Sequence, residues 1–535
     1  MSSSKLIRGT FILTLGTIIS KMLGLFYVIP FSRIVGLEGT QLYAYSYIPY
    51  TIFISIATAG IPLAVSKFIA KYNAMDEYAV GRKLFKSGLV VMMCTGIVSF
   101  LVLYISAPLL STGRELPAED ITSVIRAVSF ALIIVPFMSM IRGFFQGHQS
   151  MGPSAVSQVV EQIVRIVFVI AGAYIILKLL DGNTVDAVKA ATFAAFIGAI
   201  GGLAVLGWYW VRRKPGLDKL LEKDKGTVDI SLKEMYKEIL IYAAPFVLVG
   251  IANPLFQFID QMTFESAMKS IGFSKGAAGD AFSILNFQSH KLVIIPVALA
   301  TAFSLTLVPS ITKAFVEEDR KSLNRQLNQT FQVLLFLTLP AAAGLSLLAE
   351  PFYTVFYGHL DLGTEVLRMY APVAILFALY SVTAAILQGI NEQKWTILSL
   401  LTGLLVKFAL NIPLIKLYET DGAILATTLG YGAAIAINLV VIKIFSKYKF
   451  RLVLRRSLLI VIFGALMLAV AAGVYRLLTT FLSPASEMES LLIILLSALA
   501  GGIVYFYFSF KTKLIYFLFG DKVDRLLGKL KLKAR

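Results

Sequence analysis

Cysteine is all but missing from this chain: Cys94 is the sole one in 535 residues, so no intrachain disulfide can form and pairing gives no guide to the redox compartment. Histidine is nearly as scarce. His148, His290 and His359 are widely scattered, and no metal-ligand cluster, phosphate-cradling Gly-rich loop or Ser/His/Asp arrangement accompanies them. The chain is therefore read as no enzyme, with no cofactor and no metal. Charged residues are few as well, 15% of the total. What fills their place is apolar: 58% of residues are hydrophobic and the mean hydropathy is +0.80, against about 45–50% apolar in soluble proteins. These values describe a polytopic membrane protein.

The fold class expected is all-α, with about 14 transmembrane helices, each long enough to cross a bilayer. The apolar segments run over 8–35, 43–70, 85–111, 121–147, 154–180, 187–211, 238–265, 281–312, 327–357, 364–388, 395–417, 421–446, 457–482 and 489–510. Lys5 and Arg8 ahead of the first segment imitate a signal peptide, but no small-residue cleavage site follows, so it is read as a retained helix. The formal charge of +18 does not point to nucleic acid, because the basic residues sit in alternate loops: Lys67 to Lys86, Arg212 to Lys214, Arg320 to Arg325 and Lys443 to Arg456. The intervening loops are short and acidic, with Glu115, Glu119 and Asp120, then Asp181 and Asp186, then Glu487 and Glu489. That bias places the basic loops and both termini in the cytoplasm.

Two stretches repeat one another, QGHQSMGPSAVSQVVEQIVRIVFV from Gln146 and QGINEQKWTILSLLTGLLVKFALN from Gln388, with Arg165 and Lys407 in register. The repeat predicts two pseudo-symmetric six-helix lobes plus two C-terminal helices: an N-lobe over 1–214, a charged linker over 215–237, a C-lobe over 238–450, the extra helices over 451–510 and a basic tail over 511–535. An even number of helices per lobe gives both copies the same orientation. In the tail, Val523, Leu526, Leu527 and Leu530 share one helical stripe, which suits a surface helix on an anionic leaflet; a frayed basic tail is the alternative.

Charges inside apolar helices cost several kcal/mol, roughly 2.5–3.5 at mid-membrane, and mark cavities, partners or substrates. Here they are Lys21, Glu161, Arg165, Asp260, Lys291 and Lys407. Glu161 and Arg165 stand at i and i+4, so they are expected to satisfy each other or to serve a site. Lys21 and Lys291 have no local partner in sequence and read as substrate ligands, with an anion as the first guess. Gly16, Gly24 and Pro30 in the first helix match Pro245, Gly250 and Pro254 in the seventh, and paired interruptions of this kind point to hinges at Gly24, Pro30, Gly250 and Pro254.

The opening LIRGTFILTLGTIISKMLGLFYVIPFSRIVG, the segment ISIATAGIPLAVSKFIAKYNA and the stretch HKLVIIPVALATAFSLTLVPSITKAF resemble the MurJ/SpoVB-like (YtgP-type) lipid II flippase family of the multidrug/oligosaccharidyl-lipid/polysaccharide exporter superfamily, nearly end to end. The resemblance implies a flippase of the bacterial plasma membrane that carries lipid II, or a related undecaprenyl-diphosphate-linked glycan, to the outer leaflet. A sporulation paralogue and a cation-coupled drug exporter are the alternatives. It implies as partners the lipid substrate, membrane lipids and the cell wall synthesis machinery, and no nucleic acid. The family's helix 1 Ser-Arg falls on Ser20 and Lys21, and its basic residue ahead of the helix 8 proline falls on Lys291. Its second helix 1 arginine and the neighbouring acid align with Tyr27 and Val28, and its helix 2 arginine finds only uncharged residues near Ile52, so the phosphate site is expected to be rebuilt in part with Arg165. Some members hold sodium between helices 7, 11 and 12. In this chain Asp260, Lys407 and Asn411 lie on those helices, and the Lys407 ammonium is expected to replace the ion as a tethered charge beside Asp260.

Overall fold

The computed structural model describes residues 3–58, 60–228, 230–305 and 307–519, and these form helices joined by short turns, with no strand among them. The amphipathic tail stripe at 523–530 lies outside the described residues. Among the described residues eleven segments are long and apolar enough to cross a membrane, against the fourteen expected. Part of the difference lies in long helices that the chain bends without ending. Lys394–Ser446 has 53 residues, about 80 Å of helix and far more than one crossing needs. It is interrupted at Tyr418 and Glu419, the latter at a left-handed φ of 54°, and just beyond them Gly422 packs on the Leu414 carbonyl, where no Cβ would fit.

The chain forms two compact units. One runs up to Lys269 and takes in Phe273–Ser283; the other takes Ser270–Gly272 and the described chain from Ile284 onward. The first unit contains α1 (Ser3–Phe26), α2 (Val28–Thr58), α3 (Ile61–Ala74), α4 (Tyr78–Ser111), α5 (Ala118–Ser129), α6 (Ala131–Gly147), α7 (Met151–Tyr174), α8 (Thr184–Leu221), α9 (Leu232–Ser270, all but its last residue) and α10 (Lys275–Ser283). The expected single span over 43–70 is broken where Gly60 turns to φ 77° as the N-cap of α3 and Pro62 follows two residues later in its first turn, a place where a residue without an N–H is at home. Packing groups α9 with the first unit: Met235, Ile239 and Ala243 of α9 are buried in the same core as Phe85, Phe144 and Leu206.

The charged stretch expected to link the lobes is tied down on the first unit. Asp224 accepts from the Ala79 N–H at 2.8 Å, Glu77 accepts from the Thr227 N–H at 2.9 Å, and Arg82 pairs with Asp218 at 2.6 Å. These bonds hold the strand of chain between α8 and α9 against the turn from α3 to α4.

The second unit holds α11 (His290–Leu305), α12 (Val308–Val316), α13 (Arg320–Leu347), α14 (Ala349–Tyr357), α15 (Asp361–Tyr370), α16 (Val373–Gly389), α17 (Lys394–Ser446), α18 (Arg451–Leu478), α19 (Glu487–Lys511) and α20 (Leu514–Phe519). The two extra helices, α18 and α19, pack against α13 through Phe336, Phe463 and Tyr505, and the Tyr505 hydroxyl donates to the Phe336 carbonyl at 2.9 Å.

The sequence repeat is also a repeat of backbone. In the first copy the Ser150 N–H reaches the Phe145 carbonyl and the Gln149 N–H the Gln146 carbonyl; in the second, Glu392 reaches Leu387 and Asn391 reaches Gln388. Gln149 and Asn391 stand at the same place in the repeat with left-handed φ of 55° and 61°. This pair of bonds around a left-handed residue is the helix-terminating Schellman arrangement, and it delivers each copy into the helix that carries Arg165 or Lys407.

Candidate functional site

In the first unit the site grows from the seam between α1 and α7. Gly16 faces Ala155 and Gly24 faces the Gln162 amide, so the helices approach closely, as small residues allow in a bilayer. On this seam Thr17 donates to the Gln158 side chain at 3.1 Å and Ser20 to the Gln158 carbonyl at 3.4 Å. Lys21, next to Ser20, is exposed and makes no ion pair among the described residues.

One turn further along α7, the expected pairing of Glu161 with Arg165 is replaced. Glu161 accepts from Arg142 of α6 at 2.7 Å, and Arg142 also donates to Ser157 at 2.9 Å. Arg142 reaches Glu161 across the turn, in an orientation that a neighbour on Glu161's own helix does not supply. Arg165 turns instead to tyrosines of α2. Its Nη2 donates to the Tyr43 hydroxyl at 3.3 Å, and the guanidinium lies 5.6 Å from the centre of the Tyr47 ring. Tyr43 stacks on Tyr47 with centroids 5.2 Å apart, Tyr47 meets Tyr50 at 5.5 Å, and the Tyr27 and Tyr43 hydroxyls are 3.1 Å apart. Behind Arg165, Gly198 of α8 comes so near that a Cβ there would stand 2.8 Å from the Arg165 Cβ. Tyr27 and Tyr43 are buried and Arg165 and Tyr47 half-buried.

Sequence reasoning marked Arg165 and missed its setting. Tyr43, Tyr47 and Tyr50 recur at helical spacing in YAYSYIPY and so share one face of α2; that stripe was the available signal. Arg142, inside an apolar segment, was a second.

In the second unit Lys291 opens α11, half-buried, with its ammonium 5.7 Å from the Phe287 ring centre. It follows a π-helical turn over Ile284–Ser289, a geometry frequent at functional sites. Tyr357 donates to the Gln288 carbonyl at 3.0 Å and the Tyr353 hydroxyl bonds the Gln288 side chain, which fixes that turn. Lys407 is fully buried in α17 and donates to the Ala423 carbonyl at 3.0 Å and the Thr427 hydroxyl at 2.8 Å; Asn411, one turn on, is equally buried. Asp260, the acid expected beside it, is 4% exposed and belongs to the first unit.

At the residues expected to be paired hinges, the chain breaks at Tyr27, between Gly24 and Pro30, while α9 runs unbroken through Gly250 and Pro254. Proline's ring meets the carbonyl four residues back, here that of Gly250, whose lack of a side chain leaves the helix room to adjust.

The profile of the polysaccharide biosynthesis protein family matches residues 6–315, and that of the MatE family residues 281–413. The chain is 47% identical to the lipid II flippase MurJ of Bacillus subtilis (strain 168), covering 98% of this chain and 99% of that one, and 25% identical to the stage V sporulation protein B of the same organism over 77% and 78%. Among solved structures it resembles a lipid II flippase MurJ in an inward closed conformation, with a TM-score of 0.62 at 18% identity, covering 95% and 99%. It also resembles an inward-facing MATE family transporter, with 0.61 at 15%, covering 79% and 94%.

Proposed function

Because this chain belongs to the polysaccharide biosynthesis protein family, in its MurJ branch, we propose that it is a lipid II flippase of the bacterial plasma membrane, moving the peptidoglycan precursor from the inner to the outer leaflet. The observation that carries the reading is the 47% identity over nearly the whole of both chains. Cationic side chains set into apolar helices support it. Lys21 of the first unit and Lys291 of the second are the proposed ligands of the diphosphate, and Arg165 of the first unit is a third. Neither lysine is replaced by an acid, as a carrier of cationic drugs would prefer.

The work is transport, and no covalent bond changes. The headgroup crosses by alternating access through the cationic cavity while the prenyl tail stays in lipid along α18 and α19. Moving negative charge outward gains about 2.3 kcal/mol per charge per 100 mV of inside-negative potential, enough to bias the cycle without nucleotide hydrolysis. Both termini lie in the cytoplasm, and the product is handed to the cell wall synthesis machinery outside.

The test is complementation of a strain depleted of its lipid II flippase, with lipid II at the outer leaflet measured directly. The chain is expected to restore growth and outer-leaflet lipid II. Lys21→Ala and Lys291→Ala are expected to abolish both at unchanged protein level. Full activity of the double variant would sink the assignment of these lysines, and failure of the native chain to expose lipid II would sink the function.

A further inference from the structure

Arg165 is a half-buried cation that meets no carboxylate among the described residues, since Glu161, the acid one turn away, is engaged by Arg142. Its Nε is buried without a hydrogen-bond partner. A guanidinium has five N–H donors and no acceptor, and the tyrosines around it supply one oxygen, that of Tyr43, at 3.3 Å. Burying an unspent donor on a charged group is costly, so this arrangement suits a visiting acceptor.

We propose that Arg165 is an oxyanion clasp for the diphosphate of the substrate, with Tyr43 and Tyr47 as its positioning residues. The inference rests on the flippase reading and adds the residues that set the clasp. Tyr43 pins one nitrogen by accepting its proton, and the second hydroxyl, Tyr27, lies 3.1 Å from Tyr43 and holds that oxygen in place. Tyr47 presents its ring to the guanidinium at 5.6 Å, which limits rotation of the charged plane. Gly198 closes the far side against the Arg165 Cβ. A planar fork held at one nitrogen leaves the remaining N–H groups to grip two oxygens of a phosphate side by side, which a lysine cannot do.

Inorganic pyrophosphate with the purified full-length protein tests this, by calorimetry and by the rise in melting temperature on adding ligand. Arg165→Gln should lose binding, and Arg165→Lys should weaken it about tenfold by exchanging a fork for a point charge. Tyr43→Phe keeps the ring packing and removes the acceptor, so affinity should fall about three- to tenfold while the ligand-free melting temperature holds; a purely structural role would move the melting temperature instead. Tyr47→Phe should bind like the native protein and Tyr47→Leu more weakly. Native affinity in Arg165→Lys and Tyr43→Phe, or an equal response to sulfate at matched ionic strength, would overturn the clasp. A protein that binds pyrophosphate through Arg165 yet exposes no lipid II would leave the clasp standing as an oxyanion site and refute the flippase reading.

Discussion

Glu161 accepts a hydrogen bond from Arg142 at 2.7 Å across the turn between α6 and α7, and by doing so it leaves Arg165, on its own helix, to the tyrosines of α2. The two arginines thus have different roles: one is neutralised and braces the helix pair, the other keeps its charge available.

The brace should be visible in stability. The two side chains are only 12% and 22% exposed, and removing one partner strands the other in a poorly solvated place. Glu161→Gln or Arg142→Gln should each cost about 1–3 kcal/mol, read as a lower midpoint of unfolding in detergent. The double variant should be clearly less damaged than the sum of the two. Additive losses would show that the residues act independently.

Much of the fold was legible in the sequence because a bilayer imposes simple demands. Apolar runs had to be helices, and the repeat from Gln146 and Gln388 announced a duplicated turn that the backbone reproduces at Gln149 and Asn391. The helix breaks were harder: Gly60 with Pro62 ended a helix while Gly250 with Pro254 did not, and nothing local in the sequence separates the two cases. The site was legible as charges without partners. Who meets whom was not, since Glu161 had one candidate cation on its own helix and another across a turn, and direction of approach decides between them.

Lys407 carries a prediction about ions. Its side-chain nitrogen is fully buried on the Ala423 carbonyl and the Thr427 hydroxyl, and the expectation under test is that it stands in for a bound ion as a tethered charge. Transport should be unchanged when sodium is replaced by potassium. Lys407→Met should cost about 1–3 kcal/mol by leaving the buried Thr427 oxygen without its donor, while the Ala423 carbonyl keeps the Thr427 hydroxyl. A strict sodium requirement in outer-leaflet lipid II measurements would refute the tethered-charge reading.

Orientation can be checked with single cysteines in a Cys94→Ala background. Asp224 is a poor site because its carboxylate caps the Ala79 N–H; the adjacent Lys223 is exposed, as is Met488 in the acidic first turn of α19. An impermeant maleimide added to intact cells should label Met488→Cys and spare Lys223→Cys until the membrane is opened. Labelling of position 223 from outside would reverse the topology.

The last prediction concerns Gly279 of α10, on whose Cα the Glu115 carboxylate and the Gln41 amide sit so closely that a Cβ would overlap both. Gln41 donates to Glu115 at 2.6 Å, and Gly276, one turn earlier, leaves room for the other carboxylate oxygen. Alanine favours a helix over glycine by about 1 kcal/mol, but here it must evict a polar pair, at about 1–3 kcal/mol for overpacking. Gly279→Ala should therefore destabilise on balance, and Glu115→Ala in the same chain should restore part of the loss. Glu115 lies in the turn between α4 and α5, where burial, then the nearby Asp280, raise its carboxyl above the ordinary range. A raised carboxyl favours the folded state below its unfolded value, and that contribution is lost as pH rises through the folded one. The midpoint of unfolding should accordingly fall across that interval in the native protein and less so in Glu115→Gln, whose amide oxygen can still accept from Gln41. A stable Gly279→Ala, or an unchanged pH slope in Glu115→Gln, would show that this contact does not hold α10 in place.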